Sequence, residues 1–179
     1  VKTEDAPISG TSVDASSDAG ARSGFHLRAA DAVTVHLHAG QLFASSEASE
    51  IWTVLGSCVS VCLFDRMRGI GGANHYLLPQ QAAGAEGSPR FGSAAILKLV
   101  QRMLALGSHK HDLVAKVFGG ASLMGSPAGA DSLGWKNVEV ARTVLSRERI
   151  PIAVEDVGGR RARRLVFRTD QGVGWIKEI

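Results

Sequence analysis

The stretch from Ile51 to Pro79 constrains this chain more than any other. Two apolar runs, Ile51 to Val54 and Val59 to Phe64, are separated by Gly56-Ser57, and a third, Ile70 to Leu78, returns after the polar turn from Asp65 to Gly69. Short runs that are almost continuously apolar and rich in β-branched residues read as strands buried on both faces. The last two predict a hairpin ended by Pro79, with Gly71-Gly72 permitting close backbone approach. A bend or bulge is expected at Gly56-Ser57. The stretch also holds both cysteines, Cys58 and Cys62, and His75 follows Cys58 by seventeen residues. A hairpin of this kind makes neighbours of a thiol on one strand and an imidazole on the next.

The rest of the chain surrounds this hairpin with further strands and two helices. Val33 to His38 alternates, with Val33, Val35 and Leu37 on one face and Thr34, His36 and His38 on the solvent side. Ile96, Leu97, Val100, Met103 and Leu104 recur at helical spacing as core packing, with Ser93 as the expected N-cap and Gly107 as the stop. Leu113 to Phe118 predicts a strand ending at Gly119-Gly120. A helix is expected from Trp135 to Arg149, buried through Val138, Ala141, Val144 and Leu145 and stopped by Pro151. Ile150 to Val157, Leu165 to Arg168 and Val173 to Ile179 close the chain as strands. Strands outnumber helices and do not alternate strictly with them, so the expected class is α/β in the α+β sense, with mixed sheets in layers. Residues 1–30 are rich in Ser, Asp, Ala and Gly and read as a disordered extension, leaving 31–179 as one domain.

Charge and composition narrow the function. Residues 1–50 carry three Lys/Arg against seven Asp/Glu, so the remainder holds +7 of an overall +3. Much of that excess lies in Arg147, Arg149, Arg160, Arg161, Arg163, Arg164 and Arg168, read as a solvated strand end or loop, with docking onto an acidic partner as the second reading. No aromatic platform accompanies these arginines, which argues against nucleic acid. No apolar run approaches the roughly 20 residues of a membrane span, and the N-terminal segment resembles no signal or transit peptide, so a cytoplasmic protein is expected. On an extended strand Cys58 and Cys62 stand about 13 Å apart, too far for a disulfide, which needs less than about 7 Å.

A cysteine nucleophile needs a base and donors for the oxyanion that forms when it attacks a carbonyl. Cys58 follows an irregular Gly56-Ser57 backbone able to offer free N–H groups, and His75 on the adjacent strand can serve as base, an ion pair between them favouring thiolate near neutral pH. A buried cysteine and a structural histidine are the competing reading of the same residues. Cys62 has the same chemistry but sits mid-strand and is assigned to the core. His109, His111 and Asp112 are metal-ligand types without the spacing of a known ligand set, so no metal site is assigned.

Several blocks in order then carry a resemblance. Thr-Val-Leu-Gly-Ser-Cys-Val-Ser-Val-Cys-Leu-Phe-Asp at 53–65 and Gly-Ile-Gly-Gly-Ala-Asn-His-Tyr-Leu-Leu-Pro at 69–79 are followed by Lys-Val-Phe-Gly-Gly-Ala at 116–121. Leu-Gly-Trp-Lys-Asn at 133–137 and Asp-Val-Gly-Gly at 156–159 come next, with a later Arg-Leu-Val-Phe. Together they resemble the chemoreceptor glutamine deamidase family, CheD. The resemblance implies a fold similar to bacterial toxin deamidases, with helices packed outside layered mixed sheets. It also implies hydrolysis of specific chemoreceptor glutamines to glutamate and ammonia through a Cys thioester, with Cys58 as nucleophile, His75 as base and Thr53 as third residue. No cofactor is implied. The implied partners are the helical cytoplasmic bundle of a receptor and, in some members, a CheC-type phosphatase. A non-catalytic regulator that only binds receptor or phosphatase is the alternative on the same fold. A peptide or small-amide cysteine hydrolase and a metal-dependent hydrolase built on His109, His111 and Asp112 stand behind it.

Overall fold

The computed structural model describes residues 32–80, 87–123 and 129–179. The expected N-terminal extension and parts of the two expected loops, 80–90 and 122–134, lie outside the described residues. The strands are β1 (Val33–His36), β2 (Gln41–Ser45), β3 (Ser49–Leu55), β4 (Val59–Asp65), β5 (Ile70–His75), β6 (Leu113–Gly119), β7 (Ile152–Val157), β8 (Arg163–Arg168) and β9 (Gly174–Glu178). The helices are α1 (Gly92–Ala105) and α2 (Leu133–Arg147), with one 3-10 turn at Lys110–Asp112.

Strand β4 has to be apolar on both faces because it lies in the middle layer. Val59, Val61 and Leu63 point into a core shared with Ile96, Leu99 and Met103 of α1 and Val138, Ala141 and Leu145 of α2. Cys62 and Phe64 point the other way, into a second core with Ile51, Leu55, Leu165 and Phe167. Three layers result: the helix pair, a five-stranded sheet in the order β2-β5-β4-β6-β7, and a four-stranded sheet in the order β1-β3-β8-β9. Both sheets are mixed, each with one parallel pair, β6–β7 and β1–β3. The layered α+β expectation holds, and so does the β4–β5 hairpin, with Cys62 opposite Ala73.

Gly71 and Gly72 earn their place by close approach. A Cβ on Gly71 would lie 2.3 Å from the Thr169 carbonyl oxygen, where the end of β8 crosses the five-stranded sheet, and one on Gly72 would lie 2.5 Å from the Ala44 Cβ of β2. One missing side chain therefore lets the end of β8 pack onto the sheet, and the other lets β2 pair closely beside β5.

Several expectations need correction. The bend at Gly56-Ser57 does not interrupt one sheet: β3 and β4 belong to different sheets, and the chain changes layer there. Ser93 is not the N-cap of α1; Phe91 is, without a side-chain cap bond. The first N–H groups of this helix instead donate to the carbonyls of Leu78 and Pro79, so backbone does the work of a capping side chain. Leu97 and Leu104 are each 40% exposed rather than in the core, because the buried face runs through Ala95, Ile96, Leu99, Val100 and Met103, one step round the helix. Strand β1 stops at His36, and Val33 is 60% exposed at the sheet edge. The short edge strand β2 carries no alternating pattern and was not expected. The second helix begins two residues before the expected Trp135, where Ser132 Oγ accepts the Trp135 N–H.

Replacing Gly71 with Ala should lower stability by about 1–3 kcal/mol, the usual cost of overpacking. A urea unfolding midpoint unchanged from wild type would contradict the close packing described.

Candidate active site

The crossing between layers fixes the backbone of Gly56, Ser57 and Cys58. Each carbonyl is anchored: Gly56 O accepts the Ala121 N–H and Cys58 O the Gly120 N–H, both at 2.8 Å. Ser57 O accepts Asn137 Nδ2–H at 2.9 Å. A trans peptide points its carbonyl and its N–H in opposite directions. The N–H groups of Ser57 and Cys58 are thereby turned away from α2 and the 119–121 segment, and neither has an acceptor in another residue among those described. Gly119, with φ of 106°, allows the approach, since a Cβ there would lie 2.3 Å from Cys58 O. Of the two backbone candidates, Ser57 presents its N–H, while Gly56 supplies its carbonyl and a bare Cα beside Leu123.

His75 ends β5, and its ring faces the four-stranded sheet. Val59 pairs with Tyr76 and Cys62 with Ala73, an alignment that sets His75 across from Ser60. Cys58 lies two residues before Ser60, in diagonal relation to His75 across the strand pair. The ring is 6% exposed. Its Nδ1 lies 2.8 Å from Thr53 Oγ1 on β3, and Thr53 Oγ1 donates its proton to Leu37 O at 2.9 Å. With that proton committed, Thr53 Oγ1 accepts Nδ1–H, so Nε2 carries the lone pair of the neutral ring. Nε2 is buried and has no hydrogen-bond partner among the described residues.

Burial shifts both groups toward neutrality. Desolvation lowers the His75 pKa below its usual 6.5, with the Leu37 carbonyl opposing the shift and the charge of His38 adding to it. Desolvation also raises the Cys58 thiol, offset in part by the Cys58 backbone N–H. The expected thiolate–imidazolium ion pair is therefore not the resting state, because a partly dry site penalises both charged forms at once. A neutral thiol on the loop before β4 and a neutral imidazole at the end of β5 are what remain. Cys62 is fully buried and pushed up to about 12, which suits the core role expected of it.

The other sequence candidates fall elsewhere. His36 and His38 are exposed as expected. His109, His111 and Asp112 do converge, with ligand atoms within 4.8 Å of one another. Arg68 already holds that cluster: its Nη1 donates to Asp112 Oδ2 at 2.6 Å, and its Nη2 lies 2.8 Å from His109 Nδ1. Two of the late arginines are not solvated at all. Arg163 is buried against Asp156 and the Gly158 carbonyl, and Arg168 against Asp170 and Glu50. Asn137 was missed as a site residue; its only sequence signal was its place in the Leu-Gly-Trp-Lys-Asn block.

The CheD chemotactic sensory transduction family matches residues 77–178. The chain belongs to the CheD family. A relative from Anaeromyxobacter dehalogenans, named "Probable chemoreceptor glutamine deamidase CheD 1", is 47% identical over 81% of this chain and 84% of its own length. Relatives from Trichlorobacter lovleyi and Sulfurimonas denitrificans, named "Probable chemoreceptor glutamine deamidase CheD", are each 43% identical, over 76% and 80% of this chain and 85% and 93% of their own. Among solved structures, Neisseria meningitidis protein NMB0706 is 12% identical, with a TM-score of 0.41, over 72% of this chain and 63% of its own length. The family match of this CheD chain begins two residues after His75, so the Cys58–His75 geometry stands apart from it. No helix among the described residues is long and apolar enough to cross a membrane.

The lowered His75 pKa has a consequence for stability. Above about pH 6.5 the ring is neutral in both the folded and the unfolded state and adds no pH dependence. Below that, the unfolded chain takes up the proton first, so stability falls as pH drops until the lower folded pKa is passed. The unfolding free energy of wild type should fall more steeply than that of His75→Gln below about pH 6.5. Parallel pH profiles would mean that the ring is not held neutral by burial.

Proposed function

We propose that this CheD chain hydrolyses the side-chain amides of specific glutamines on chemoreceptors to glutamate and ammonia, in the cytoplasm and as part of chemotactic adaptation. Cys58 is the nucleophile, His75 the general base and Thr53 the residue that orients it. The observation that carries this reading is the buried Thr53–His75 hydrogen bond, which leaves Nε2 unpartnered on the ring that the strand register brings toward Cys58. The names of the relatives support the substrate.

In the proposed reaction Nε2 takes the Cys58 proton as sulfur bonds to the glutamine Cδ, and the carbonyl oxygen becomes an oxyanion facing the Ser57 and Cys58 N–H groups. Collapse breaks the C–N bond, and the imidazolium gives its proton to the leaving ammonia. The thioester left behind is attacked by water as Nε2 accepts the water's proton; the C–S bond breaks and Cys58 recovers that proton. Water and an amide go in, and a carboxylic acid and ammonia come out. A base whose resting pKa is lowered stays unprotonated at neutral pH and so is ready to accept the thiol proton.

The receptor's cytoplasmic helical bundle would present the glutamines, and a CheC-type phosphatase is the second partner implied by the family resemblance. Incubating a receptor cytoplasmic fragment with wild type should convert discrete glutamines, read as amide-to-acid mass shifts in its peptides. Cys58→Ala should abolish the conversion, His75→Ala should slow it by about 10²–10⁴-fold, and Thr53→Val by roughly 10–100-fold. An unmodified receptor that nevertheless binds the protein would leave only the non-catalytic regulator.

A further inference from the structure

Asn137 lies in the second turn of α2, fully buried, and its side chain spans the two segments of the proposed site. One Nδ2 proton is donated to Ser57 O at 2.9 Å, immediately before Cys58, and the other to Leu77 O at 2.8 Å, two residues after His75. Two carbonyl partners require nitrogen at that position, which settles the orientation of the amide. Nothing else that ties these two carbonyls together is seen among the described residues.

We propose that Asn137 is the positioning residue of the site, clamping the Ser57–Cys58 peptide to the chain just past His75 and so setting both the Cys58 thiol and its N–H relative to the base. This rests on the deamidase reading for its substrate, but the clamp itself is independent of it.

The argument runs through peptide geometry. If the Ser57 carbonyl were released, the peptide could rotate, and the Cys58 N–H, fixed opposite to that carbonyl, would rotate with it. Residues 56–58 lie between strands of two different sheets, so no ladder holds that peptide in place. The anchors on Gly56 O and Cys58 O flank the peptide, and among the described residues only Asn137 holds its own carbonyl. The remaining Asn137 oxygen, Oδ1, is buried without a partner among the described residues. An unsatisfied buried acceptor lowers stability, so a residue serving packing alone is poorly explained by an amide here. The donors are what the position needs. Tyr76 steadies the same turn of helix by donating its O–H to Asn137 O at 2.7 Å, and burial keeps that phenol protonated.

The test compares Asn137→Ala and the volume-matched Asn137→Asp with Ser132→Ala, which removes the cap of the same helix and leaves the clamp intact. Two readouts are taken on folded protein: kcat and KM on the receptor fragment, and the rate of Cys58 alkylation by iodoacetamide across neutral pH, with and without His75→Ala. Loss of the clamp should lower kcat by roughly 10²–10³-fold, in the range of a lost oxyanion donor, with KM within about twofold. His75→Ala, which changes the pH profile of Cys58 alkylation in wild type, should no longer change it once Asn137 is replaced. Ser132→Ala should keep kcat, KM and the His75-dependent profile.

Asn137 variants that keep kcat and a His75-dependent alkylation profile like those of Ser132→Ala would overturn the proposal. Both Asn137 variants failing to fold while Ser132→Ala folds would also overturn it, making Asn137 a support of the fold. If wild type leaves the receptor unmodified, the deamidase reading fails, and the alkylation comparison still decides the clamp.

Discussion

A buried hydrogen bond crosses from the four-stranded sheet to the five-stranded one at the site: Thr53 Oγ1 and His75 Nδ1 lie 2.8 Å apart. Around it the interface between the sheets is built from Ile51, Leu55, Ala73, Phe118, Leu165 and Phe167. Burying the hydroxyl and one side of the imidazole there is tolerable because a chain of donors and acceptors satisfies them, from His75 Nδ1 through Thr53 to the Leu37 carbonyl. Leu37 is available because the short β1 ends at His36 and the chain turns toward β2. The Gly40 N–H then donates to His75 O at 2.7 Å, tying that turn to the histidine's own backbone. The N-terminal strands therefore fix the ring.

The same burial sets the electrostatics. Near neutral pH a drier Cys58 holds its proton and a drier His75 does not take one, so the pair rests uncharged. Charge would develop only as the thiol attacks, where the N–H groups of Ser57 and Cys58 have no acceptor in another of the described residues. An exposed pair would be nearer an ion pair at rest and open to any electrophile. A neutral pair held by geometry favours reaction with a group that fits against it.

Much of this was legible in the sequence because it is local. The apolar runs of β4 and β5, the turn between them and the paired glycines at 71 and 72 are carried by consecutive residues, and the family blocks point to Cys58, His75 and Thr53 as the residues of the proposed site. The non-local parts were not legible. Nothing in Gly56-Ser57 distinguishes a bulge within a sheet from a crossing between two sheets, yet that crossing is why the loop's carbonyls are anchored and its N–H groups are not. Strand β2 is held by its neighbour β5 rather than by its own pattern. Leu97 and Leu104 fit a helical stripe in sequence, and only packing showed which arc was buried. Asn137 sits eighty residues from the peptide it holds, and the thiol and imidazole shifts follow from burial, which has no sequence signature.

The central claim is that Thr53 fixes the tautomer of His75 so that Nε2 is the base. Nitrogen-15 NMR of the His75 ring near neutral pH reads this directly. The account predicts a protonated Nδ1 and a lone-pair Nε2 in wild type, with that preference lost in Thr53→Val. A wild-type ring carrying its proton on Nε2 would contradict it.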